Sequence, residues 1–125
     1  MRAYTVATVA LTLGVTPKWL DNALSRFPVR GVLRTRQGVS RRLAPQAVVT
    51  LHLANELIRT LGLPLGTAIS LAERAGEAEE TAAIELFPSA RLVVQISAAA
   101  RDVNARLAHA VEVTPVPKRG RPSTK

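Results

Sequence analysis

Five arginines, Arg30, Arg34, Arg36, Arg41 and Arg42, fall between Val29 and Leu43 with no acidic residue among them. A guanidinium is a planar fork of donors that matches phosphate oxygens and base edges. Five like charges on a short segment repel one another, so a polyanionic partner explains them better than the segment's own stability. A second set lies just upstream: Thr16, Lys18, Asn22 and Arg26. Thr16 and Lys18 open a helix, where hydroxyl, ammonium and backbone N–H groups can meet phosphate. The Asn22 amide suits an adenine edge, and Arg26, one turn on, can reach phosphate or guanine. Trp19, between them, reads first as a packing residue. Covalent and metal chemistry have little to work with. Cys is absent, and the two histidines, His52 and His109, are far apart and each reads as a surface or packing residue.

The chain has 125 residues, enough for one compact domain with an arm or tail. Hydrophobic residues make up 47% and aromatics 3%, so any core must be built from Ala, Val and Leu. There are 17 Lys+Arg, 14 of them Arg, against 9 Asp+Glu, for a net charge of +8. The excess is uneven: residues 1–45 carry +7 with Asp21 as their only acid, residues 46–75 balance, residues 76–112 carry −3 and residues 113–125 carry +4. Two basic contact regions around a neutral-to-acidic middle fit a nucleic-acid binder. The acids other than Asp21 read as lying on helices or in a hinge, and there is no Gly-rich phosphate loop, so an enzyme is not expected and neither is a cofactor. Ala3 to Pro17 is uncharged but interrupted by Thr5, Thr8, Thr12 and Gly14, and is too short to span a bilayer.

Val6, Val9, Ala10 and Leu13 mark one face of a first helix, which Gly14 ends. Thr16-Pro17 is a capping hydroxyl followed by proline at the first helical position, and the second helix runs to about Arg26. Two helices joined through Gly14 form a helix-turn-helix or a plain helical hairpin. From Val29 to Leu43 helical period is lost. Gly31-Val32-Leu33 and Val39 to Leu43 flank Arg36-Gln37-Gly38, a polar turn, and read as a β-hairpin. A basic hairpin after a helix-turn-helix is a wing that lies along the DNA backbone. A third helix opens at Ala44-Pro45, carries the stripe Val48, Leu51, Ala54, Asn55, Ile58 and Leu61, and ends at Gly62. A fourth runs from about Gly66 to Ala75. Beyond an acidic hinge at Gly76 to Glu80, Ile84 to Phe87 and Leu92 to Ile96 flank a Pro88-Ser89-Ala90 turn. They suggest a second hairpin, with Ser97 capping a helix from Ala98 to about Val111. The competing reading is one helix from Ser89 with a short heptad seam. Thr114-Pro115-Val116-Pro117 cannot be helical and begins a disordered tail.

Residues 4–76 resemble the winged helix-turn-helix domain of MerR-type regulators. The resemblance rests on Gly14-Val15-Thr16 between the first two helices, the arginine-bearing segment from Gly31 to Leu43, and Leu61-Gly62 with Leu65 before the short fourth helix. It departs at Asp21 and Asn22, where the family usually has Arg and Tyr, and at Leu43, where the wing usually ends in Tyr. Those departures bear on base contacts more than on the fold. Excisionase-type proteins share the same small domain. In the tail, Lys118-Arg119-Gly120-Arg121-Pro122 resembles an AT-hook core, an extended minor-groove anchor.

The expected fold is mainly α with small β: a winged helix-turn-helix of four helices and a two-stranded wing, then a hairpin and a C-terminal helix. The expected division is a DNA-binding domain at 1–76, a dimerisation or partner-binding region at 77–112, and a basic tail at 113–125. The expected function is sequence-specific recognition of double-stranded DNA by a bacterial transcriptional regulator, cytoplasmic and nucleoid-associated. Thr16, Lys18, Asn22 and Arg26 would meet the major groove, and Arg30, Arg34, Arg36, Gln37, Arg41 and Arg42 the backbone. Six neutralised phosphates imply a salt slope of about −5. Leu92, Ile96, Val103, Leu107 and Val111 are apolar beyond the need of a short tail helix, so a homodimer through 82–111 is expected, the alternative being that they fold back on the DNA-binding domain. The alternatives are an antitoxin or excisionase-like accessory whose acidic region 76–112 binds a protein partner, and a nucleoid-architecture protein that binds AT-rich DNA.

Overall fold

The computed structural model of the chain describes residues 3–33 and 41–113. The Arg36-Gln37-Gly38 turn with Arg34, and the Lys118–Pro122 motif, lie outside the described residues. The described chain is mainly helical, with five helices and two small antiparallel sheets.

A two-residue strand, β1 (Tyr4–Thr5), runs straight into α1 (Val6–Leu13). Thr5 caps α1 by accepting the Thr8 N–H at 3.2 Å. Gly14 closes the helix at φ 72°, a left-handed conformation that favours glycine, and the Val15 N–H returns to the Ala10 carbonyl at 3.0 Å. Two residues later α2 (Pro17–Arg26) begins on the expected cap, with the Thr16 hydroxyl accepting the Trp19 N–H at 3.0 Å. Strands β2 (Val32–Leu33) and β3 (Arg42–Leu43) pair antiparallel, as the first hairpin requires. β3 also pairs with β1, giving the order β1-β3-β2. That third strand was not expected, because two residues are too few to show alternation.

Helix α3 (Pro45–Leu61) starts where the Ala44 N–H donates to the Gly31 carbonyl at 2.8 Å, and Gly62 ends it at φ 69°. Gly31, at φ 92°, is in a backbone conformation that favours glycine and is tightly packed: a β-carbon would stand 3.2 Å from that of Ala47. Helix α4 (Leu65–Ala75) passes under the Phe27 ring, and a β-carbon at Gly66 would meet Phe27 Cε1 at 2.9 Å. β4 (Thr81–Phe87) and β5 (Ala90–Gln95) form the second hairpin, with a register irregularity between Glu85 and Phe87. Helix α5 (Ile96–Val113) follows directly, so a single helix from Ser89 is excluded. Ser97 is not its cap. The helix starts one residue earlier, and the Ser97 N–H donates to the Glu80 carbonyl at 3.2 Å. Glu85 lies on β4 opposite Arg91, not on a helix or in the hinge.

The main core joins Val9 and Leu13 of α1, Leu20 and Ala23 of α2, Leu43 of β3, Leu51 and Ala54 of α3, and Ala68 and Ile69 of α4. Val103 and Leu107 of α5 belong to it too, packed on α1 and α3. A smaller cluster of Ala75, Ala82, Ile84 and Ile96 pins the second hairpin to the end of α4 and the start of α5.

This packing places most of the apolar residues expected at a dimer seam inside the chain. Ile96, Val103 and Leu107 are buried within the chain, Leu92 is half-buried, and of the five residues only Val111 is exposed. The heptad spacing marks a buried stripe only within α5, since Val93 is exposed on β5. Val103 and Leu107 are covered by α1 and α3 of the same chain, and Ile96 by the second hairpin and the end of α4. His52 on α3 is also buried, at 8% exposure. Among the described residues no helix is long and apolar enough to cross a membrane.

Two outcomes test this packing. Leu107→Ala is expected to cost about 3 kcal/mol in denaturant unfolding, because it leaves a cavity between helices. Val111→Ala is expected to stay within about 0.5 kcal/mol; equal effects would mean that α5 does not pack as described. Burial holds the His52 pKa below its ordinary 6.5, with Arg106 pushing the same way and Glu56 and Asp102 opposing. The unfolded chain then binds the extra proton first, so stability falls as pH drops through about 6.5 toward the lower folded value. Thermal melts between pH 7.5 and 5.5 should show that loss, and His52→Gln should reduce it.

Candidate nucleic-acid interface

Helix α2 divides cleanly by exposure. Leu20 and Ala23 are buried, and Trp19, Leu24 and Phe27 are half-buried on the core. Lys18, Asp21, Asn22, Ser25 and Arg26 are all exposed, and their spacing of three and four residues places them on one continuous face. Trp19 packs inward, which leaves it the structural role. Thr16 is exposed, but its hydroxyl oxygen already accepts the Trp19 N–H, so its first duty is as a cap. Arg26 lies over the Phe27 ring, 5.4 Å from the centroid, a cation–π contact that braces its stem.

Two of the expected backbone contacts are engaged elsewhere. Arg30 was expected to face phosphate. Instead its backbone N–H donates to Glu73 Oε2 at 2.9 Å, its Nε meets Glu73 Oε1 at 3.1 Å, and its Nη2 meets Glu77 Oε2 at 2.9 Å. Those carboxylates raise its pKa further, Glu77 most strongly through its hydrogen bond. The contact ties the segment between α2 and β2 to α4 and the residues just after it. Arg41 was expected to face phosphate as well. Its Nη1 meets Asp21 Oδ1 at 3.2 Å and its Nη2 donates to Ser25 Oγ at 3.1 Å. The segment that leads into β3 is thereby held along α2.

Neither pairing was read from the sequence. Arg30 lies 43 and 47 residues from its partners, and Arg41 lies 20 from Asp21. The usable signal was the placement of Glu73 and Glu77 one turn apart, together with an unexplained acid, Asp21, inside the most basic part of the chain. Lys18, Arg26 and Arg42 are in no ion pair among the described residues, and Arg42 is exposed on β3. The structure therefore brings Lys18, Asn22 and Arg26 together on α2 with Arg41 alongside, and turns Arg30 toward α4. Among the described residues no group of three or more metal-ligating acids or histidines occurs.

Comparison with protein-family models, with curated proteins and with solved structures finds no match to this chain.

The cap is open to a direct check. Thr16→Ala is expected to lower stability by about 1 kcal/mol, whereas Thr16→Ser should retain most of it. Equal losses in chemical unfolding would show that the hydroxyl does not cap α2.

Proposed function

We propose that the chain binds double-stranded DNA with sequence preference, as a winged helix-turn-helix regulator. In this reading α2 enters the major groove and the β2–β3 segment lies along the backbone. The observation that carries it is the exposed face of α2. Lys18, Asn22 and Arg26 share one face of a helix packed by its opposite face, in a chain whose strand β3 carries the exposed Arg42. Asn22 offers the base contact, with donor and acceptor for an adenine edge, and Lys18 and Arg26 flank it for phosphate. A helix presented this way fits a groove about 12 Å wide.

The ion pairs refine the electrostatic expectation. With Arg30 and Arg41 on carboxylates, Lys18, Arg26, Arg34, Arg36 and Arg42 remain as phosphate ligands. Five contacts imply a slope of about −4.5 for log K against log salt, before any contribution from the tail. Transcriptional regulation, location at the nucleoid and minor-groove binding by Lys118–Pro122 belong to the same proposal. A protein partner is the second reading. It is favoured by an apolar groove of about 360 Å³ between α3, α4 and β5, lined by Leu57, Leu61, Leu71, Leu92 and Val94.

Recovery of bound duplexes from a randomised pool, followed by titration at several salt concentrations, tests the reading. Asn22→Ala should erase preference for the recovered sequence and leave binding to random duplex nearly unchanged. Arg42→Ala should weaken binding to every duplex and flatten the slope by about one. Retention of no duplex at low salt would defeat the proposal.

A further inference from the structure

Arg41 and Arg42 are adjacent in sequence but stand in different surroundings. Arg42 is exposed, while the Arg41 side chain keeps 17% of its surface and places two nitrogens on α2. Its partners Asp21 and Ser25 are one helical turn apart, on the same flank of that helix. Successive residues of an extended segment point to opposite sides, which is why one arginine turns in and its neighbour turns out. Asp21 also needs a reason to exist. It is the only acid in residues 1–45, and it sits on the face where a polyanion would dock. A carboxylate there repels phosphate unless a cation neutralises it, and Arg41 is that cation.

We propose that Arg41 is a positioning residue, not a phosphate ligand: through Asp21 and Ser25 it clips β3 to α2 and fixes the strand pair against the base-reading side chains. The proposal rests on the DNA-binding reading above. Its consequence is specificity. If the strand pair sits on the backbone and α2 in the groove, a fixed distance between them decides whether Asn22 meets its base edge in register. Loosening the clip leaves the phosphate contacts in place, because Arg42 and Lys18 do not depend on it. It misaligns the base contact, which is geometrically demanding. Asp21 is then a structural partner of Arg41 and not a reader of bases.

The test measures affinity for the recovered sequence and for random duplex, each against salt, for Arg41→Ala, Arg41→Lys, Asp21→Ala and the exchange Asp21→Arg with Arg41→Asp. Arg41→Ala is expected to cut the ratio of specific to random affinity by about tenfold with the salt slope unchanged. Arg41→Lys, which keeps the charge but not the two-pronged contact, should lose part of that ratio. Asp21→Ala should resemble Arg41→Ala, and the exchanged pair should recover most of the ratio. Amide hydrogen exchange at Arg42 and Leu43 in the DNA-free protein should quicken in Arg41→Ala and Asp21→Ala, and slow again in the exchanged pair. A slope flattened by about one in Arg41→Ala, with the ratio intact, would make Arg41 a phosphate ligand and overturn the proposal. An Asp21→Ala variant that binds every duplex more tightly and keeps the ratio of specific to random affinity would overturn it too, since Asp21 would then act only by repulsion. A wild-type chain that binds no duplex refutes the DNA reading itself, an outcome distinct from a wild type that binds while its Arg41→Ala variant keeps its specificity.

Discussion

The core has to be closed with small side chains. Aromatic residues are 3% of the chain, and the fully buried positions are filled by Leu, Val and many alanines, among them Ala23, Ala47 and Ala54. Alanine fills little volume, so native packing density is reached only if backbones approach closely or more elements share the core. Both occur. Gly31 passes against Ala47, and Gly66 passes under the Phe27 ring, at distances where any side chain would have to displace its neighbour. Helix α5 supplies the remaining wall, seating Val103 and Leu107 on α1 and α3. Of the helices in the first 76 residues, α1, α2 and α4 have only eight to eleven residues, and helices that short hold their shape mainly through such packing.

That constraint separates what was legible in the sequence from what was not. The ends of α1, α2 and α3 were legible because local chemistry sets them: Gly14 and Gly62 in left-handed conformation, Thr16 with Pro17, and Pro45. The second hairpin was legible because Val93 and Val94 favour strand, and the structure keeps the pair antiparallel from Thr81 to Gln95; Ile96, read with them, instead begins α5. β1 was not, since Tyr4 and Thr5 form a strand only because β3 offers them an edge. The destination of α5 was not legible either. A stripe at heptad spacing states that a face is covered and carries no information about which chain covers it. The shortage of core volume was the available hint: a domain this poor in aromatics needs another helix before it needs a second copy.

The candidate interface shows the same division on the electrostatic side. The exposed face of α2 was readable as a spacing of Lys18, Asn22 and Arg26. The fates of Arg30 and Arg41 were not, because an arginine opposite a phosphate and an arginine opposite a distant carboxylate look alike in a sequence. Segment charges obscured the difference. Residues 46–75 balance on paper, yet Glu73 lies against Arg30, which had been counted with residues 1–45. Charges are felt over a Debye length of about 8–10 Å, so the relevant sum is over neighbours in space.

Summed that way, the acids near the basic region are not scattered exceptions. Glu73 and Glu77 take up Arg30 at the root of the strand pair, and Asp21 takes up Arg41 along α2. Exposed pairs of this kind add little to stability. Their larger effect is on placement. An unpaired Arg30 or Arg41 would add one more mobile positive charge to a region already crowded with them, and the strand pair would be pushed away from α2. Pairing removes that repulsion locally and converts two of the arginines into ties between elements, while Lys18, Arg26 and Arg42 keep their charges facing outward. In the proposed reading, the basic segment therefore has two uses for one residue type. Some arginines shape the surface that meets DNA, and the others supply its charge. Which arginine does which is decided by whether a carboxylate lies within reach in the folded chain.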